Sequence, residues 1–200
     1  MKILFATSNS HKLDEVRAIL GEGGIEVVGL CGAQLQIEEP VEDAKTFAGN
    51  ARIKAKAYAK ATGTMCMADD SGLVVDALDG EPGVYSARYA GIGNTREERD
   101  AANNKLLLKK LKGIDASFPA ARFVCSLCVS DPNGDIVAEA EGTFDGVITS
   151  EPRGSNGFGY DPLLYLPDVE LTSAELSTKA KNARSHRHAA LQKIIPMIVR

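Results

Sequence analysis

The chain has 200 residues, 44% of them hydrophobic and 25% charged, with a formal net charge of −4. That composition suits one globular domain, and the acidic balance argues against non-specific nucleic-acid binding as the main task while leaving room for a local basic pocket. No run of about 18 apolar residues offers a membrane span, the apolar run after Met1-Lys2 is too short for a signal peptide, and the cysteines form no paired CxxC framework, so a reducing cytoplasm is the expected setting.

Lys2 to Ala6 is predicted as a central strand. Thr7-Ser8-Asn9-Ser10 is small and polar, and Leu13, Val16, Ile19 and Leu20 then recur at helical spacing, with Asn9 or Ser10 as the cap. A strand, a polar loop and a helix N-terminus attract anions, phosphate above all. Lys12 falls in the first turn, where the dipole disfavours a cation, so it makes better sense with an anion bound; a plain loop with a solvated lysine is the other reading. The segment lacks the GxxxxGK[ST] phosphate-loop pattern. Ile25 to Leu30 is predicted as a second strand, and Gln34 to Glu42 as an acidic loop whose Glu38 and Glu39 are either metal ligands or solvated acids. Asp43 is the expected cap of a helix from Ala44 to Ala61, on which Phe47, Asn50 and Lys54 share a face. Asn50 and Lys54 either point into a cleft or sit at its boundary with the lysine snorkelling.

The stretch Met65 to Leu73 is central to the chemistry. An apolar run ends in Asp69-Asp70, Ser71-Gly72 predicts a turn, and an apolar run resumes at Leu73-Val74-Val75. Adjacent residues of an extended chain point to opposite sides, so only one aspartate faces a given site. A carboxylate there can hold a hard cation such as Mg²⁺ or take a proton from water, or it belongs to a simple polar turn. Thr95 is the expected cap of a helix to about Leu111. Ala121 to Ser130 alternates as a strand, and Ile136 to Gly142 returns from the Asp131–Asp135 turn as a hairpin, which makes the sheet mixed. Cys125 and Cys128 lie within that strand and read as buried thiols. Gly154 to Pro162 is glycine-rich: Phe158 can stack on a flat ring and Asp161 can accept a hydrogen bond from it, or the aromatics plug the core. Ser185 is a plausible cap for the last helix, with His186 and Arg187 as cations in its first turn.

Taken in order, Ala6-Thr7-Ser8-Asn9-Ser10-His11-Lys12 with Glu15, Asn50-Ala51 with Lys54, Ala68-Asp69-Asp70-Ser71-Gly72-Leu73, Tyr85-Ser86-Ala87-Arg88-Tyr89, Gly157-Phe158-Gly159-Tyr160-Asp161-Pro162, and Lys181 with Ser185-His186-Arg187 resemble the Ham1/inosine triphosphatase family of nucleoside-triphosphate pyrophosphatases. The resemblance runs from residue 6 to 187. It implies a single α/β domain over residues 1–200, built on a long mixed central sheet with flanking helices in two lobes and an active site in the cleft between them. It also implies a homodimer, Mg²⁺, and hydrolysis of the deaminated purine nucleotides ITP, dITP and XTP to the monophosphate and pyrophosphate. By position, Thr7, Ser8, Asn9, Ser10, His11 and Lys12 bind the triphosphate with Lys54. Asp70 is the general base and a Mg²⁺ ligand, Glu39 is a second acid at the metal, and Ser71 touches the substrate. Phe158, Gly159, Tyr160, Asp161, Lys181, Ser185, His186 and Arg187 form the nucleoside pocket. Glu38 and Asp69 stay open as further contacts to the metal. The rival readings are a Maf-type pyrophosphatase of other base specificity and a nucleotide sensor without turnover.

Overall fold

The computed structural model describes residues 2–21, 23–30, 37–114 and 118–199. Cys31 and the start of the acidic loop, 34–36, lie outside them. The named elements are strands β1 (Lys2–Phe5), β2 (Glu26–Gly29), β3 (Cys66–Val75), β4 (Ala120–Ser130), β5 (Ile136–Ile148), β6 (Leu164–Leu166) and β7 (Leu171–Thr172), with helices α1 (Ser10–Gly21), α2 (Phe47–Thr62), α3 (Arg96–Leu111), α4 (Thr178–Arg184) and α5 (His186–Ile198). The strands form one sheet in the order β2-β1-β3-β4-β5-β6-β7. β1 pairs in parallel with β2 and β3, whereas β5–β6 and β6–β7 are antiparallel, so the sheet is mixed as expected.

The chain divides into two compact units. The first comprises Met1–Asp70, Cys125–Thr143 and His186–Arg200, and the second Ser71–Val124 and Phe144–Ser185. In the first, Ile3 and Phe5 of β1, Val16, Ile19 and Leu20 of α1, Met67 of β3, Leu127 of β4 and Leu191 and Ile194 of α5 share one apolar core. The helical spacing read in α1 is thus a buried face. A second core in this unit gathers Ala51, Ala55 and Ala59 of α2 with Tyr58, Leu4 and Cys128. Alanines at helical spacing let a helix lie close to a sheet at little entropic cost. The second unit builds its core from Leu73, Val75, Leu107, Phe123, Phe144, Tyr160 and the apolar residues of β6.

Two local expectations are corrected. Asp43 does not cap α2: Thr46 does, its Oγ1 accepting from the Gly49 amide at 3.1 Å, and the helix starts at Phe47. No turn interrupts Asp70-Ser71-Gly72 either, because β3 runs unbroken from Cys66 to Val75. Gly72 serves close approach: a Cβ there would stand 2.3 Å from Ser86 Oγ and 2.6 Å from the Gly83 carbonyl. Cys66, Cys125 and Cys128 are buried and free, and burial pushes each thiol up to about 12, as inert packing groups require. Among the described residues no helix is long and apolar enough to cross a membrane.

Candidate active site

In the first unit the chemistry centres on the adjacent acids of β3. Strand geometry sends them to opposite sides, and each meets a different set of partners. Asp69 is 1% exposed. Its Oδ2 lies 3.0 Å from Lys12 Nζ and accepts from Arg187 Nη2 at 3.0 Å. Arg187, fully buried at the start of α5, also donates through Nη1 to Glu15 of α1. Burial alone would push the Asp69 carboxyl up, but Lys12 and Arg187, with Lys54 further off, hold it well below the usual carboxylate range. The same acids hold the Arg187 guanidinium firmly protonated against its own burial. Asp69 Oδ1 has no hydrogen-bond partner among the described residues.

Asp70 has the opposite electrostatic character. Its Oδ2 accepts from Asn50 Nδ2 at 3.0 Å, and its Oδ1 stands 3.6 Å from Lys54 Nζ. Burial raises its carboxyl above the ordinary value, opposed by Lys54, the Asn50 hydrogen bond and Lys12 and reinforced by Glu42. Asn50 is itself fixed, since its Oδ1 accepts from the Ala44 amide at 3.0 Å. Lys54 donates to Glu42 Oε2 at 2.8 Å; burial works against its charge, but Asp70, Asp69 and Glu42 prevail and raise its pKa. The face shared by Asn50 and Lys54 on α2 is therefore turned to Asp70.

The loop from β1 to α1 carries the predicted phosphate contacts. Asn9 Oδ1 accepts from the His11 amide at 3.0 Å and the Lys12 amide at 3.4 Å, which makes Asn9 the side chain that covers the first turn. Thr7 Oγ1 takes the Asn9 amide at 3.2 Å, and Ser8, Ser10 and His11 are exposed. Lys12 already has an anion within the chain, Asp69, which explains a cation at the positive end of a helix without a ligand. Glu39 is exposed; burial chiefly raises the Tyr58 phenol, and the charge of Glu39 adds to that.

In the second unit Asp161 organises the glycine-rich loop. Its Oδ2 accepts from the Phe158 amide at 2.8 Å and from Lys181 Nζ at 2.5 Å, and its Oδ1 accepts from Ser173 Oγ at 2.8 Å. Gly157 has φ +78°, and a Cβ there would lie 2.1 Å from Asp161 Oδ2, so the loop closes on the carboxylate only with glycine. Lys181 Nζ stands 4.8 Å from the centre of the Phe158 ring. Tyr160 is buried, its hydroxyl donating to the Ser86 carbonyl at 2.9 Å, so this aromatic plugs the core while Phe158 remains partly exposed. Ser185 is buried where α4 ends, and its Oγ donates to the Asn182 carbonyl at 3.5 Å. Ser71 is half-buried at the start of this unit, and His186 is buried at the start of α5.

Arg187, expected in the nucleoside pocket, pairs through its guanidinium with Asp69 and Glu15 in the first unit. Glu42 had no assigned role, and Glu15 appeared only as part of a motif. A partner such as Arg187 for Glu15 is set by the fold and has no local signature.

Comparison with known proteins matches the sequence and fold of this chain to known relatives. The model of the Ham1 family matches residues 3–197. A relative from Desulforamulus reducens named dITP/XTP pyrophosphatase is 46% identical over 200 residues, covering 100% of this chain and 96% of its own. A HAM1 protein structure from Coxiella burnetii superposes with a TM-score of 0.85 at 39% identity, covering 96% of this chain and 95% of that one. The Staphylococcus aureus Ham1 structure gives 0.82 at 38% identity over the same shares. With a family model spanning nearly the whole sequence and relatives of this identity over their full length, the chain belongs to the Ham1 family.

Proposed function

We propose that this protein hydrolyses deaminated purine nucleoside triphosphates, ITP, dITP and XTP, to the monophosphate and pyrophosphate, and so cleanses the nucleotide pool. The observation that carries the reading is the contrast between two neighbouring acids: Asp69 is held ionised by Lys12 and Arg187, whereas burial raises Asp70 above the ordinary carboxylate value beside Asn50 and Lys54. The names of the relatives, dITP/XTP pyrophosphatase, support the same activity and substrate class.

Asp70 takes the proton from the water that attacks the α-phosphorus. Asn50 keeps one Asp70 oxygen aligned, leaving Oδ1 toward Lys54. Lys12, Lys54 and the Thr7 to His11 stretch that leads into α1 take the charge of the triphosphate and of the leaving pyrophosphate. Arg187 acts through Asp69 as a buried counter-ion. Phe158 stacks on the base, Lys181 offers a donor to a 6-oxo group, and Gly159, Asp161, Ser185 and His186 shape their surroundings. Ser71 contributes a substrate hydrogen bond.

The metal is proposed to be Mg²⁺, held by Asp70 and Glu39. Among the described residues no three His, Cys, Asp or Glu side chains form a ready-made metal cage. Mg²⁺ usually binds through one or two carboxylates plus substrate phosphates, and Asp70 Oδ1, 3.6 Å from its cationic neighbour, is a hard oxygen donor with spare capacity. Mg²⁺, when bound, supplies positive charge to the phosphate oxygens and acidifies the attacking water. A homodimer in the cytoplasm is part of the same proposal, and sedimentation tests the first of these. The deciding experiment is pyrophosphate release over a panel of nucleoside triphosphates with and without Mg²⁺. ITP and XTP should turn over well above GTP and ATP, and dTTP or UTP as the preferred substrate would overturn the assignment.

A further inference from the structure

The mechanism above makes no use of the polar face of α3, yet three of its side chains converge on the aromatic loop. Arg96, Asp100 and Asn104 are spaced four residues apart and so lie along one stripe of the helix. Asp100 Oδ2 accepts from the Gly159 amide at 2.9 Å, and Asn104 Nδ2 donates to the Gly159 carbonyl at 3.0 Å. The peptide groups on both sides of Gly159 are therefore held by one helix. The Arg96 guanidinium lies 4.7 Å from the centre of the Phe158 ring, and its Nε pairs with Asp100 only at 3.7 Å, with no hydrogen-bond partner among the described residues.

We infer that Asp100 and Asn104 are positioning residues for the base: by pinning Gly159 they fix the orientation of the Phe158 ring that stacks on it. Gly159 has φ +63°, a conformation that other residues adopt rarely. An unrestrained glycine next to Phe158 would let the ring swing through many orientations. Asp161 and Lys181 already hold the loop from within, through the Phe158 amide. The α3 stripe supplies the second anchor, immediately beyond the ring. Such double fixing lowers the entropy lost when a flat base is stacked.

The inference rests on Phe158 being the base-stacking residue, and the experiment separates the two. KM and kcat for ITP are measured together with inhibition by inorganic tripolyphosphate, which carries phosphates and no base. Variants are Asp100→Ala, Asn104→Ala, Asp100→Asn and Phe158→Ala. Asp100→Ala is expected to raise KM for ITP about tenfold, the worth of a hydrogen bond to a charged group, with kcat within about twofold and tripolyphosphate inhibition unchanged. Asn104→Ala should act in the same direction more weakly. Asp100→Asn keeps an acceptor for the Gly159 amide and should restore most of the loss. If Phe158→Ala raises the ITP KM while neither α3 truncation does, the inference falls and the stacking role stands. If Phe158→Ala leaves the ITP KM unchanged, the stacking role falls and the inference with it. Equal loss of tripolyphosphate binding in Asp100→Ala would mark a general disturbance and also overturn it.

Discussion

Asp69 and Asp70 are the same residue type in adjacent positions, and their surroundings shift them in opposite directions. Asp70 is an acid whose folded-state pKa is raised above the unfolded value of about 3.9. The native state therefore holds its proton more tightly than the unfolded one. That contribution to stability is fully present below about pH 3.9 and is lost as pH rises through the raised folded value, so at neutral pH the charged form is a burden to the fold. Asp70→Asn removes that burden and keeps an oxygen for Asn50. It should fold with a melting temperature at or above the parent's at pH 7, while steady-state turnover of ITP falls by about 10²–10⁴-fold through loss of the base. Asp69 has the opposite sign. Its depressed pKa contributes stability above about pH 3.9 that is lost as pH falls through the folded value, so an acid titration should not break this pair until strongly acidic pH. Asp69→Asn leaves Lys12 and one face of the fully buried Arg187 without a counter-charge. Breaking such a buried pair costs about 3–5 kcal/mol, readable as a lower urea midpoint. An unfolded Asp70→Asn beside a stable Asp69→Asn would reverse the assignment.

At the level of elements, β3 sets the directions of both acids because it does not turn where its composition suggests. Asp, Ser and Gly between apolar runs look alike in a turn and in a strand packed against another backbone. The deciding contact is with Ser86, whose Oγ accepts from the Leu73 amide at 2.9 Å and donates to the Gly83 carbonyl. A methyl group at Gly72 would strike both Ser86 and that carbonyl, and the carbonyl cannot rotate away. Gly72→Ala should therefore destabilise the protein by about 1–3 kcal/mol in urea unfolding, as overpacking does. A glycine in an exposed turn would tolerate the change, so a neutral result would contradict the unbroken strand. The apolar face of α1, the Thr95 cap of α3 and the strand β4 were legible in the sequence because periodicity and capping are local, although β4 is buried on both faces from Phe123 on. The start of α2 was misplaced because Asp43 and Thr46 are both good caps and only geometry chooses between them. Of the site, Lys12, Lys54 and Asp70 could be read from motifs. The pairing of Glu15 with Arg187 across the length of the chain, and of Glu42 with Lys54, arises only when the fold brings them together.

For the molecule as a whole, the question is how an acidic protein receives a polyanion. The net charge is −4, so no general field attracts a triphosphate. Nor do the local cations stand unopposed. Lys12 and Arg187 face Asp69 and Glu15, and Lys54 faces Asp70 and Glu42. Three basic groups are thus answered by four carboxylates before any nucleotide arrives. A triphosphate added to that cluster meets repulsion from Asp70 and Glu42 as well as attraction from the lysines. Additional positive charge is required for binding itself, apart from its part in the chemistry. We therefore expect a non-hydrolysable α,β-imido analogue of ITP to bind at least about tenfold more weakly in EDTA than in Mg²⁺ by calorimetry, the scale of one partly screened charge contact. Asp70→Asn removes a carboxylate from the cluster and should narrow that gap, tightening binding in EDTA and weakening it in Mg²⁺. Equal affinity with and without Mg²⁺ would mean that the triphosphate is held chiefly by neutral donors, such as the amides at the start of α1. In that case Lys12→Ala would change affinity little, whereas the charge account requires it to weaken binding in both conditions, because Asp69 would then be left without its lysine partner.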